Sequence, residues 1–169
     1  MFSRTLVKLI DEAIVPAVVL VAAKVVGTLF VASYFGIPAT SESTFFSLYF
    51  SNREDFLLVN SYSNLLMCLA IALGGLFFLV RSRFFHDSHI TPTFAAKIFS
   101  LRIGNMVKTS FDVYSQGTIW LSYSYLLTIL TATQMYFNLV FTSVFIVSLV
   151  LSVLLTLVLV SDIDRELER

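Results

Sequence analysis

VYSQGTIWLSYSYLLTILTATQMYFNLVFTSVFIVSLVLSVLLTLVLVS, residues 113–161, carries no formal charge and lies between Asp112 and Asp162. As one straight helix it would extend about 73 Å, more than twice the roughly 30 Å hydrocarbon core of a bilayer. Folded once, it makes two crossings of ordinary length. The fold-back belongs near residues 133–138, although no glycine or proline marks it. This run, more than any other, decides the fold class.

The rest of the chain agrees. Of 169 residues, 57% are hydrophobic and only 13% charged, with a mean hydropathy of +0.87. A soluble domain carries about a quarter charged residues. A net charge of zero offers no basic excess for nucleic acid. The single cysteine, Cys68, lies in an apolar run and reads as a small packing residue. Near the N-terminus, Arg4 and Lys8 precede an apolar run in the manner of a secretory signal. Asp11 and Glu12 interrupt that flank, and Ala13 to Phe35 outruns a signal core of about 7–15 residues. A retained transmembrane helix is the expectation.

The chain is therefore expected to be an all-α integral membrane protein, a single membrane domain over 1–169 built as a four-transmembrane-helix bundle. The spans fall at about 13–36, 58–81, 113–133 and 139–160. Pro16 sits in the first turns of the first span, where a missing amide costs least, and Gly36-Ile37-Pro38 ends it. The third span is the most polar, with Ser115, Gln116, Thr118, Ser122 and Ser124. Basic residues cluster at the N-terminus, in 82–111 and at the C-terminus, whereas the opposite side holds only Arg53. Both termini are thus expected in the cytoplasm, most simply at a bacterial inner membrane.

Connecting segments carry their own signals. Ser51-Asn52-Arg53-Glu54 fits a capping box, so the second helix is expected to start before the bilayer and run to about Phe85. TFFSLYF (44–50) gathers aromatic rings suited to the outer interface. In the cytoplasmic segment 82–111, Thr91-Pro92 and Gly104-Asn105 bracket a short interfacial helix bearing Lys97 and Arg102. That helix could rest on anionic headgroups or dock on a partner.

Within this apolar chain Lys24 stands out. It is 11 residues from each end of the run Ala13–Phe35, about 16 Å from either edge. Insertion remains affordable: a central lysine costs about 3 kcal/mol, and the apolar residues of the span return about 4–7 kcal/mol. No proposed span offers a mid-depth Asp or Glu. Ser122, Tyr123 and Tyr125, with Gln116 on the same third span, are the expected intramembrane polar or partner site for Lys24. A carboxylate from another subunit, a wet cavity, or a packed and water-bridged lysine are the three readings. Intramembrane ionisable groups otherwise point to function.

Small residues recur at every fourth position: Ala23 and Gly27 on the first span, Ala70 and Gly74 on the second, Ser148, Ser152 and Thr156 on the fourth. Such faces let helix backbones approach closely, within the chain or between chains. His86 and His89 share a spacing suited to one helical face, but no cysteine or third histidine completes a zinc set. Neither histidine lies in a span, which argues against a haem-bearing bundle. Hydrolase, zincin and phosphate-loop signatures are absent, and a Ser–Lys dyad around Lys24 would need only a hydroxyl that these helices supply everywhere.

No cofactor or metal is expected. The expected function is a non-enzymatic multi-pass protein in contact with the lipid bilayer, acting as a subunit or accessory component of a larger membrane assembly with another membrane protein or itself. The alternative is a homo-oligomeric channel or small-solute transporter with Lys24 lining its path.

Overall fold

The computed structural model describes residues 2–37, 40–41, 48–50, 52–84, 96, 100 and 110–167. Four long helices make the bundle: α1 (Phe2–Tyr34), α2 (Arg53–Phe84), α3 (Ser110–Tyr136) and α4 (Thr142–Leu167). Between α1 and α2, β1 (Thr40–Ser41) pairs antiparallel with β2 (Leu48–Tyr49), in the register Thr40 to Tyr49 and Ser41 to Leu48.

Among the described residues, three segments are long and apolar enough to cross a membrane: Glu12–Tyr34, Arg53–Ser82 and Thr142–Asp164, with mean hydropathies of 2.4, 2.2 and 2.9. α3 has the length, about 40 Å, but its hydroxyls and amides keep it out of that group.

The helix ends show why the chain turns where it does. α1 closes on Gly36, whose φ of 63° lets Gly36 N–H reach Ser33 C=O at 3.2 Å and Ile37 N–H reach Ala32 C=O at 2.9 Å. These two bonds satisfy carbonyls that the helix end would otherwise strand. α3 ends in the same way without a glycine. Asn138 takes a φ of 54°, Asn138 N–H donates to Met135 C=O at 2.9 Å, and Leu139 N–H to Gln134 C=O at 2.8 Å. Asparagine is the other residue that tolerates this conformation. At the start of α2, Asn52 C=O accepts from Phe56 N–H at 3.2 Å, which makes Asn52 the residue that opens the helix. The expected cap Ser51 lies outside the described residues. So do the expected interfacial helix (apart from Ala96 and Ser100) and the His86–His89 motif.

α1 begins at Phe2, so Pro16 is interior rather than in a first turn. It has no amide for the Glu12 carbonyl. Help comes from α3, where Tyr123 OH donates to the neighbouring Ala13 C=O at 3.0 Å. Neighbouring hydroxyls commonly steady a proline-disturbed helix in this manner.

α2 is the centre of the bundle and touches each of the other three helices. Leu20, Met67, Cys68, Ile71 and Leu127 form the main core, with Ala23, Ala70 and Trp120 packed against it. Gly74 lies directly under the Trp120 ring, and a Cβ added at Gly27 would come within 2.9 Å of Leu66. α3 and α4 run antiparallel along a seam of hydroxyls. Ser124 and Ser152 are 2.7 Å apart, Thr128 and Ser152 2.8 Å, and Thr131 and Ser148 2.7 Å. Buried hydroxyls must be paired in this way, because solvent cannot serve them. Thr156 continues the seam toward Tyr125 OH, 2.8 Å away.

Candidate functional site

Lys24 projects from α1 onto α2, not onto α3. Its Nζ donates to Asn60 Oδ1 at 2.6 Å, Ser63 Oγ at 2.7 Å and Asn64 Oδ1 at 2.6 Å. A fourth, longer contact of 3.4 Å reaches the Asn60 backbone carbonyl. An ammonium has three protons, and three close oxygens receive them. Positions 60, 63 and 64 fall on one helical face, so a single turn of α2 supplies the whole cage.

The oxygens are also oriented. Each asparagine can present either its oxygen or its amide nitrogen, and neighbours decide which. Asn60 Nδ2 donates to Leu139 C=O at 2.7 Å, and Asn64 Nδ2 donates to Gln134 Oε1. Ser63 directs its hydrogen to Asn60 C=O at 3.0 Å, leaving its lone pairs for the lysine. Just beside them Ser61 Oγ accepts from Phe141 N–H at 2.9 Å. Asn60, Ser61, Ser63 and Asn64 are all buried. One continuous network therefore joins α1 to α2, and α2 to the turn between α3 and α4.

None of the residues expected to meet Lys24 does so. Ser122 is exposed and bonds back to Thr118 C=O at 2.8 Å. Tyr123 serves Ala13, and Tyr125 pairs with Thr156. Gln116 lies at the other end of the bundle between Arg81 and Glu12. The reason is geometric: α1 packs mainly on α2, while α3 meets it over a shorter stretch. The missed signal was Asn60-Ser61-Tyr62-Ser63-Asn64, a polar turn within an otherwise apolar span. Two asparagines at spacing four can do for an ammonium what hydroxyls alone would do poorly.

Because its cage is tied to Leu139 and Gln134, the Lys24 ammonium is level with the α3–α4 turn. The opposite end of the bundle is marked by Ser82, whose hydroxyl donates to Asp162. These two polar levels lie about 30 Å apart along α2.

Among the described residues no three His, Cys, Asp or Glu side chains gather as metal ligands. Cys68 is free and buried in the core. The small residues Ala23, Gly27, Ala70, Gly74, Ser148, Ser152 and Thr156 all take part in contacts between helices of this one chain. The cage is thus a ligand set for the chain's own ammonium, built from neutral oxygens. The chain matches no protein-family model, no curated protein and no solved structure.

Proposed function

We propose that this chain is a non-enzymatic multi-pass membrane protein that serves as a subunit or accessory component of a larger assembly, and that the last turns of α1 meet the partner. The observation that carries this reading is a stagger between the helices. The Lys24 level and the Ser82–Asp162 level are separated by about one hydrocarbon thickness. Exposed apolar side chains of α4, from Ile146 to Val160, fit between those levels. So do those of α2 from Tyr62 to Val80. A slab placed there puts the α3–α4 turn at the surface, with Tyr136 and Phe137 exposed beside it as interface aromatics. It also moves Lys24 from the bilayer centre to its edge.

α1 fits least well: Lys24 stands near the middle of its apolar span Glu12–Tyr34, so only about 18 Å of that span, from Glu12 to Lys24, lies between those levels. Beyond Lys24 it continues for about 15 Å, presenting Val26, Leu29, Phe30 and Tyr34 at 63%, 54%, 62% and 75% exposure. A ridge of that kind outside the hydrocarbon calls for cover by protein. In this reading the basic ends, including both termini, face the cytoplasm.

A pore built on Lys24 has less support, since all three ammonium protons already have oxygens of α2. The same engagement weighs against a partner's carboxylate at this position.

The test is a photoreactive benzoylphenylalanine placed at Phe30 in native membranes, with a control at lipid-facing Val150. A protein adduct at Phe30 and none at Val150 is expected. If the two positions behave alike, the ridge has no protein partner and the reading fails.

A further inference from the structure

At the end of the bundle opposite the Lys24 cage, α1, α2 and α3 part to leave a cavity of about 340 Å³, within the range of about 300–1,000 Å³ typical of small-molecule sites. Its walls are apolar, with Val15, Phe77, Ile119 and Trp120 prominent, and its charged lining is Arg81 and Glu12. Gln116 stands between these two charges. Its Oε1 accepts from Arg81 Nη1 at 2.8 Å, while its Nε2 donates to Glu12 Oε1 at 3.4 Å. Ser115 Oγ holds the other carboxylate oxygen at 2.8 Å. The guanidinium also lies 6.0 Å from the Phe77 ring centroid, and its enclosed Nε has no hydrogen-bond partner among the described residues.

One amide thus keeps a positive and a negative group apart at the mouth of an apolar pocket. We infer that the cavity binds a zwitterionic amphiphile, a phospholipid with a phosphoethanolamine headgroup. Its phosphate oxygens meet the Arg81 guanidinium, which is shaped for two parallel N–H···O bonds. Its primary ammonium meets Glu12, and the start of an acyl chain runs along Phe77 and Trp120. A purely anionic headgroup would satisfy Arg81 but face the Glu12 carboxylate, so charge order along the cavity selects the zwitterion. The cavity's place near Glu12 and Ser82, where two of the apolar spans terminate, puts it where a headgroup and its chain can both be served.

Trp120 is the chain's only tryptophan and lines the cavity, so contact quenching reports occupancy directly. The full chain in lipid-free detergent micelles is titrated with phosphatidylethanolamine or phosphatidylglycerol, each brominated on the acyl chain. The ethanolamine lipid is expected to quench at about tenfold lower concentration, the effect of one charge-assisted contact. Arg81→Gln should weaken both lipids, and Glu12→Gln should reverse the preference toward phosphatidylglycerol. Because that reversal compares two lipids on one variant, a folding defect cannot mimic it. Free phosphoethanolamine and inorganic phosphate should not relieve the quenching. Equal quenching by both lipids, an Arg81→Gln response like the parent's, or displacement by either soluble compound would each overturn the proposal.

Discussion

Lys24→Met is the most informative single change, because it keeps the length and apolarity of the side chain while removing the ammonium. Three oxygens that now receive protons would face a thioether. Asn60 and Asn64 cannot turn their amide nitrogens inward without giving up Leu139 C=O and Gln134 Oε1. Each stranded acceptor costs about 1–3 kcal/mol, so three cost about 3–9 kcal/mol. Against this, relieving a desolvated charge returns several kcal/mol. Measured interhelical hydrogen bonds in membranes, at about 0.6 kcal/mol each, set a floor of about 2 kcal/mol for three. The expected net loss is about 2–4 kcal/mol. Unfolding by sodium dodecyl sulfate in mixed micelles, followed through Trp120 emission and helical circular dichroism, measures it. A double-mutant cycle with Asn64→Leu should give a coupling of about 1–2 kcal/mol. An unchanged midpoint for Lys24→Met, together with zero coupling, would refute the cage.

Other substitutions probe the turns and the helix contacts. Asn138 is exposed with a φ of 54°, so Asn138→Val should cost about 1–2 kcal/mol through backbone strain alone, whereas Asn138→Gly should be neutral or stabilising by the same unfolding assay. Gly36→Ala has open space around its new methyl but sits at a φ of 63°, and about 1 kcal/mol of destabilisation should appear without any change in Trp120 emission. Gly74→Ala reverses that pattern: the methyl runs into the Trp120 ring, so a loss of about 1–3 kcal/mol should come with a shifted emission maximum.

Much of the architecture was legible because length against bilayer thickness is a hard constraint. The uncharged run from Val113 had to fold back, and Asn138 lies at the end of the stretch where the turn was expected. The end of α1 was readable from Gly36. Pro16 lies in the first turns of the apolar span, as expected, but deep in the helix, because nothing in 2–12 announces that the helix already runs there. The cage was missed for a different reason. Polar residues of the third span looked numerous enough to serve Lys24, yet most were committed elsewhere: Ser122 and Thr118 to their own helix, Ser124 to α4. Counting hydroxyls on a helix does not say which neighbour that helix has. Packing order decides that, and α1 lies mainly on α2. The offset of α1 against the other helices likewise depends on how side chains interlock, which hydropathy along one segment does not contain.

The two asparagines of the cage also make a simple order of events available during synthesis. Once α1 and α2 have emerged, the lysine can collect all three of its oxygens, with no residue of the later helices required. Doing so turns both carboxamides the same way and leaves their nitrogens as a pair of waiting donors. Those donors are what Leu139 and Gln134 of the second hairpin later accept. A first hairpin with its charge settled is therefore a ready template for the second. A chain that failed to seat Lys24 would lose the fixed orientation of the handles by which the remaining half docks.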